Sequence, residues 1–404
     1  MTTNIPRRWL VTGLLIPAIA VAAFKLFEPV VVYNAGWRDL PDAQYLVDSR
    51  HLTEWEDAAG KADAWLLESR EKLGTPALSA AISIDGELVW AGAVGYSDLD
   101  AASTASPDTT FRIGSSSKAV TSVAMGVLIE SGAIDLDAPI SDYISDLSGP
   151  LSSVTTRQAM NHTAGVRDYG ICLCFPIWEY YNRSYYETQR ETLGIVEGSD
   201  LLFVPGERFF YTSYGYNVTG AVIESVTGKG FNDYLKDSVF VPLGLDGIRV
   251  DSGTPRATDA VFYELANGRF KPVFQVDNSN KLPSGGILAT PSDLVQLGQQ
   301  MIAPTLFSSD TRDQLVRRQF LADGEPNPQG YALGWRTGET QLLRGTITTP
   351  VYHHHGVAYG AVSHFSVYPQ IGMVVSVMMN KNQGDFDGVP AQLVDLFVTG
   401  LQWD

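Results

Sequence analysis

A chain of 404 residues that is 45% hydrophobic and free of low-complexity tracts has room for one large globular domain or two smaller ones. Its formal net charge of -17, from 45 acidic against 28 basic residues, excludes an electrostatic nucleic-acid footprint and docking on an anionic lipid surface. The partner class left is a small molecule or a peptide.

At the N-terminus Arg7 and Arg8 precede an apolar run from Trp9 to Phe24 that ends at Lys25. This is an export pattern with two readings. Lys25 can snorkel and let Leu26, Phe27 and Val30 to Val32 extend the run into a membrane anchor. Ala20-Val21-Ala22 equally fits the small-residue pattern of a cleaved signal peptide. Both place the remaining chain outside the cytoplasm, in a periplasmic or other extracytoplasmic space. The expected boundaries are 1–33 for the signal or anchor, 34–53 for a linker and 54–404 for one folded domain.

Glu54 to Leu73 has helical spacing with charged outward positions. Two short runs of alternating apolar residues follow, joined at Asp85-Gly86, a strong hairpin signal. A second pair of runs, "GAVSHFSVYP" and "GMVVSVMMN", flanks a turn at Gln370 to Gly372, and Val389 to Leu401 closes with helical periodicity. The long middle carries several helical patterns. The expected fold is therefore α/β (α+β): the two ends pair into one antiparallel sheet flanked by helices, with an inserted helical lobe. Cys172 and Cys174 are the only cysteines, too few for a four-thiol zinc site. An oxidised clip or redox pair is open to them, but two buried, unpaired small side chains is the favoured reading, because bridging residues two apart strains the backbone.

"DTTFRIG" is extended and "SSSKAVTSVAMGVLIESG" helical, so three serines sit on a first helical turn. Residues three apart share a helix face, so Ser115 meets Lys118 while Ser116 points elsewhere. A hydroxyl becomes a good nucleophile when a neighbour takes its proton, and a helix start favours the anion that develops. S-x-x-K occurs a second time, at Ser69 to Lys72, but inside a charged amphipathic helix with no preceding strand-to-helix turn, and is read as a solvated face. In "VPGERFFYTSYGYNVTG" the phenol of Tyr211, beside a lysine, is a candidate base for Ser115 and later acid for the leaving group; Tyr180 is a rival in a less ordered context. In "VYHHHGVAYG" His353 and His355 share one strand face and His354 the other, with Gly356 permitting close backbone approach. His354 is expected to face the nucleophile and give a hydrogen bond or positive charge to a substrate. Metal binding by the histidine run is disfavoured for want of a nearby third ligand.

These motifs, with "NHTAGVRDY", "PLGL" and "PSGGILATPSDLVQLGQQM" in order between Pro76 and Leu401, resemble the serine β-lactamase-like hydrolases of class C type. That β-lactamase/transpeptidase-like family includes penicillin-binding proteins, D-amino peptidases, carboxylesterases and the mitochondrial β-lactamase-like protease. The resemblance implies that 54–404 is a catalytic domain with Ser115 as nucleophile, Lys118 and Tyr211 as its base pair, and an oxyanion hole from the amides of Ser115 and Val357. It also implies that Ser213 stands where Tyr-x-Asn relatives carry asparagine, and His354 where Lys-Thr-Gly relatives carry lysine. Both replacements weaken the grip on a β-lactam's amide and carboxylate. The expectation is a cofactor-free, metal-free serine hydrolase that forms an acyl-enzyme on an ester or peptide-like amide, and a poor β-lactamase. Alternatives are a β-lactamase or D-Ala-D-Ala carboxypeptidase, or a non-catalytic cell-envelope peptide-binding protein. Ser213, Gly356 and Val357 are the expected substrate contacts, and Trp178, Tyr180, Tyr181, Tyr185 and Tyr186 have two equal readings, an aromatic substrate wall or simple packing of the helical lobe. Three glycosylation-like triplets, at Asn161, Asn182 and Asn217, are read as chance.

Overall fold

The computed structural model describes residues 35–42, 46–172, 178–384, 386 and 388–399. The expected signal or anchor segment lies outside them. Among the described residues no helix is long and apolar enough to cross a membrane.

One antiparallel sheet organises the molecule. Its strands are β1 (Val47–His51), β2 (Ala77–Ile84), β3 (Glu87–Asp98), β4 (Arg336–Leu342), β5 (Ile347–Ala358), β6 (Ala361–Tyr368) and β7 (Met373–Met379), in the order β1-β3-β2-β7-β6-β5-β4. A two-residue strand, Ser103–Thr104, pairs with the end of β3. The β2–β3 hairpin turns at Asp85 and Gly86, both with positive φ (49° and 90°), the backbone of a turn whose twist matches its strands. The N-terminal and C-terminal strand pairs join through β2 and β7, from Leu78↔Met379 to Ile84↔Met373. Part of the stretch read as linker is sheet instead: β1 runs along β3 from Val47↔Val94 to His51↔Trp90. Its sequence, VDSRH, is polar because it caps an edge, and this removed the alternation that marks a half-buried strand.

All eight residues of β2 are buried because helices cover both faces of the sheet. Leu78, Ala80, Ile82 and Ile84 join Trp90 in a core with α1 (Glu56–Leu73) and the C-terminal helix Val389–Val398, which supplies Phe397. The other face of β2 is small, with Ala77, Ser79, Ala81 and Ser83, and helix Pro291–Gly298 packs there; Ser83 Oγ donates to the Val295 carbonyl at 3.2 Å. That second, larger core continues into the inserted lobe through α2 (Ser117–Glu130) and α3 (Tyr214–Thr227). A three-stranded ribbon, Phe111–Arg112 with Ile287–Ala289 and Arg249–Val250, leads into α2. The Ser69 copy of S-x-x-K is on α1, in the layer opposite α2. Ser69 is buried there, not solvated as expected, while Lys72 is exposed.

Candidate active site

Phe111–Arg112 is followed by a tight 3-10 turn, Gly114–Ser116, and then by α2. Gly114 has φ 50°, and a Cβ there would meet the Val357 backbone at 2.6 Å. At Gly356 a Cβ would lie 1.8 Å from the Ile113 carbonyl. Gly356 was expected to admit a substrate backbone; it admits the nucleophile turn itself. Ser116 Oγ fastens that contact, 3.2 Å from the His354 carbonyl and 2.9 Å from Ser363 Oγ, while Ser363 donates to the Ile113 carbonyl at 2.7 Å. The three serines are thereby separated in role. Ser115 lines a cavity, Ser116 ties the turn to β5 and β6, and the Ser117 hydroxyl is buried.

One turn along, the fully buried Lys118 directs Nζ to Ser115 Oγ at 3.2 Å and donates to the Ser284 carbonyl at 2.8 Å. Thr121 Oγ1 donates to the adjacent Pro283 carbonyl, so the "PSGG" segment is seated on α2. Lys118 Nζ stands 4.8 Å from the centre of the Tyr211 ring. Backbone anchors around Tyr211 fix its place: Thr212 N–H donates to His162 Nδ1, Thr212 Oγ1 to the Arg167 carbonyl, and Ser213 N–H to Asp168 Oδ1. The structure thus brings Ser115, Lys118, Tyr211 and Ser213 together.

His354 departs from its expected part. It is 2% exposed, and both ring nitrogens are engaged. Nδ1 contacts the His355 carbonyl at 2.7 Å, so it carries the proton, and Nε2 accepts from the Tyr331 hydroxyl at 2.9 Å. Burial, and next the charge of Lys118, push this imidazole well below its ordinary range. His354 therefore offers a substrate neither a free donor nor a positive charge. His162, buried with its ring centre 4.2 Å from that of Tyr211 in a tilted contact, is held neutral by the same two causes. The sequence motif containing His162 was noticed without a role for the residue, and Tyr331 carried no signal of its own. On the other face of β5, His353 and His355 lie together as expected, and His355 Nδ1 is 3.2 Å from His364 Nδ1. Among the described residues no group of three or more His, Cys, Asp or Glu side chains is placed to hold a metal ion.

The cavity before Ser115 measures about 380 Å³. Val357, 58% exposed, forms one rim at the end of β5. The two-residue turn after Ala358 makes Ala358↔Ala361 a hydrogen-bonded pair, so Val357↔Val362 is a pair whose backbone groups point away from β6. Tyr169, Trp178, Tyr180 and Tyr181 form an aromatic wall of the same cavity, which meets the end of β5 where the Tyr181 ring lies 4.8 Å from that of Tyr359. Glu179 braces it, accepting from Arg167 at 2.7 Å, from Gly170 N–H at 2.8 Å and from the Tyr214 hydroxyl at 3.1 Å. Tyr185 and Tyr186 do not line the cavity, and Tyr185 is exposed. Cys172, beside this wall, is disulfide-bonded, which corrects the expectation of unpaired cysteines; Cys174, the chain's only other cysteine, lies outside the described residues. Asn161 and Asn217, of two glycosylation-like triplets, are buried.

A helix-flanked antiparallel sheet with a serine and lysine one helical turn apart defines a serine β-lactamase-like protein. The Beta-lactamase family profile matches residues 62–398, and the chain belongs to that family. It is 25% identical over 384 residues to the serine beta-lactamase-like protein LACTB, mitochondrial, of Homo sapiens, covering 74% of this chain and 70% of that one. It is also 25% identical over 338 residues to Protein flp of Staphylococcus aureus (strain MRSA252), covering 81% and 64%. In fold it is similar to the octameric penicillin-binding protein homologue from Pyrococcus abyssi (TM-score 0.69, 23% identity, 84% and 77% covered). The D-amino acid amidase from Ochrobactrum anthropi SV3 gives a TM-score of 0.68 at 20% identity, with 86% and 99% covered.

Proposed function

We propose that the chain is a serine hydrolase that cleaves an ester or a peptide-like amide through an acyl-enzyme, outside the cytoplasm and without a cofactor. The observation that carries this reading is the 3.2 Å approach of Lys118 Nζ to Ser115 Oγ at the wall of an aromatic cavity. Ser115 Oγ attacks the carbonyl carbon while its proton passes to the Lys118–Tyr211 pair. Charge developing on the carbonyl oxygen meets the backbone amides of Ser115 and Val357, on either side of the Gly114 contact. The pair then protonates the leaving group, and water attacking the acyl-enzyme returns Ser115. The similarity in fold to an amidase supports an amide or ester substrate. Ser213 and the occupied His354 support slow turnover of penicillins, because neither supplies the polar grip described above.

Labelling with a fluorophosphonate and a penicillin probe side by side tests the reading. The expected result is rapid, stoichiometric fluorophosphonate attachment to Ser115, seen by peptide mass spectrometry, with much slower penicillin acylation. Ser115→Ala removes the label and lowers nitrophenyl-ester hydrolysis by about a thousandfold or more, whereas Ser69→Ala retains both. Equal labelling of the two variants would place the nucleophile elsewhere.

A further inference from the structure

We propose that Lys281 forms an anion-binding subsite on the aromatic wall of the Ser115 cavity, which holds a carboxylate carried by the substrate; the proposal rests on the hydrolase reading above. Lys281 ends a short 3-10 turn, Ser279–Lys281, three residues before Ser284, whose carbonyl accepts from Lys118. It lines the same cavity as Ser115 and is 5% exposed. Its Nζ donates to the Tyr180 carbonyl at 2.6 Å and sits 4.2 Å from the Tyr180 ring centre and 5.6 Å from that of Tyr169. An ammonium has three donors, and a carbonyl uses one.

The acids whose fields reach Lys281 are Asp251 and Asp277, and both are committed elsewhere. Asp251 pairs with Arg112 at 2.7 Å and accepts from Asn278 at 2.7 Å; Asp277 accepts from the Ser279 hydroxyl and N–H. Neither forms an ion pair with Lys281. Arg112 opposes its charge, and the nearby Tyr169 and Tyr180 are neutral phenols that add none. A tie to the Tyr180 carbonyl needs only a neutral N–H donor, so the tie alone does not account for a lysine facing a substrate cavity. Burial, then Arg112, push the amine down to about 7. Its charge is therefore balanced near neutrality, and an arriving carboxylate draws it to the ammonium form. Carboxylate recognition thereby sits on the aromatic wall and not on β5, where His354 is occupied.

The carboxylate belongs to the acyl part or to the leaving part, and two matched pairs separate these sources. One is 4-nitrophenyl hydrogen glutarate against its methyl ester; the other is 4-acetoxybenzoate against methyl 4-acetoxybenzoate. Binding is measured by calorimetry to full-length Ser115→Ala protein at pH 6.5. The charged member of one pair should bind about tenfold tighter than its methyl ester. That preference should disappear with Lys281→Met, survive with Lys281→Arg, and weaken severalfold at pH 8.5 only where lysine is present. No charge preference in either pair, or one that persists in Lys281→Met, overturns the subsite. Should Lys281→Met fail to fold, the contrast in pH dependence between lysine and arginine decides. Since no nucleophile is present, a failure here leaves the hydrolase reading standing; intact binding without turnover by the Ser115 protein overturns only the latter.

Discussion

Lys118 is fully buried, within reach of one hydroxyl and one carbonyl, and its side chain is the group placed to exchange a proton with Ser115. Lys118→Arg keeps a positive charge at this place but supplies a guanidinium that cannot be deprotonated and so cannot take the proton of Ser115. Acylation by a nitrophenyl ester is expected to fall by at least about a hundredfold, read as the burst rate in stopped flow; a near-normal burst would make Lys118 an electrostatic support only. His354 calls for a different experiment. Its occupied nitrogens make it a positioning residue that joins β5 to Tyr331, and Tyr331→Phe leaves Nε2 a buried acceptor without a donor. The expected loss is about 1–3 kcal/mol of stability, measured by urea unfolding. His354→Lys, which the strand position invites as a route to anionic substrates, instead inserts an ammonium beside Lys118. It should lower the unfolding midpoint without raising penicillin turnover, and a faster penicillinase would show that His354 reaches the substrate after all.

At the scale of elements, the decisive contact is between a turn and a strand. The Ile113–Ser116 turn is pressed on β5 so closely that no side chain fits at Gly356. Gly356→Ala must move the Ile113 carbonyl, and Ser115 with it. Esterase activity should fall by about a hundredfold or more and stability by about 2 kcal/mol or more, whereas Gly338→Ala in β4, where a Cβ meets open space, should change neither. The S-x-x-K pair and the Asp85-Gly86 hairpin were legible in the sequence because each depends on residues at most three apart. The paired ends of the chain were legible because β2, β3, β6 and β7 are apolar enough to announce themselves. β1 was not, since an edge strand of VDSRH has no buried face to advertise. Nor was the engagement of His354, whose partner Tyr331 lies 23 residues away on a loop that only the folded sheet brings close. The buried state of Ser69 was hidden for a similar reason: helical charge pattern shows which residues reach water, and misses a small hydroxyl between two layers.

At the scale of the whole molecule, four of the six histidines share an unusual state for so acidic a chain. Burial lowers His162, His354 and His364 well below their ordinary range and His353 to about 4. Each stays neutral when folded and takes up its proton on unfolding, so the unfolded chain is favoured as pH falls below about 6.5. Each histidine contributes up to about 1.4 kcal/mol per pH unit in that window. Lys281, lowered to about 7 when folded, adds a slope of the same sign between about 7 and its unfolded value near 10.4. The urea midpoint should therefore drop from pH 8 to pH 5.5, and an unchanged or higher midpoint at pH 5.5 would contradict the buried-neutral assignment. The junction of β2 with β7 also has a consequence in time. A ribosome delivers Ala77–Ile84 long before Met373–Met379, so the central edge of the sheet waits, unpaired and apolar, through most of synthesis. The nucleophile turn waits as well, because the strand it rests on arrives almost as late. Such a chain commits to its fold only once its C-terminal strands are available, and a chain truncated before residue 373 should be inactive, protease-sensitive and a client for chaperones that shield open strand edges.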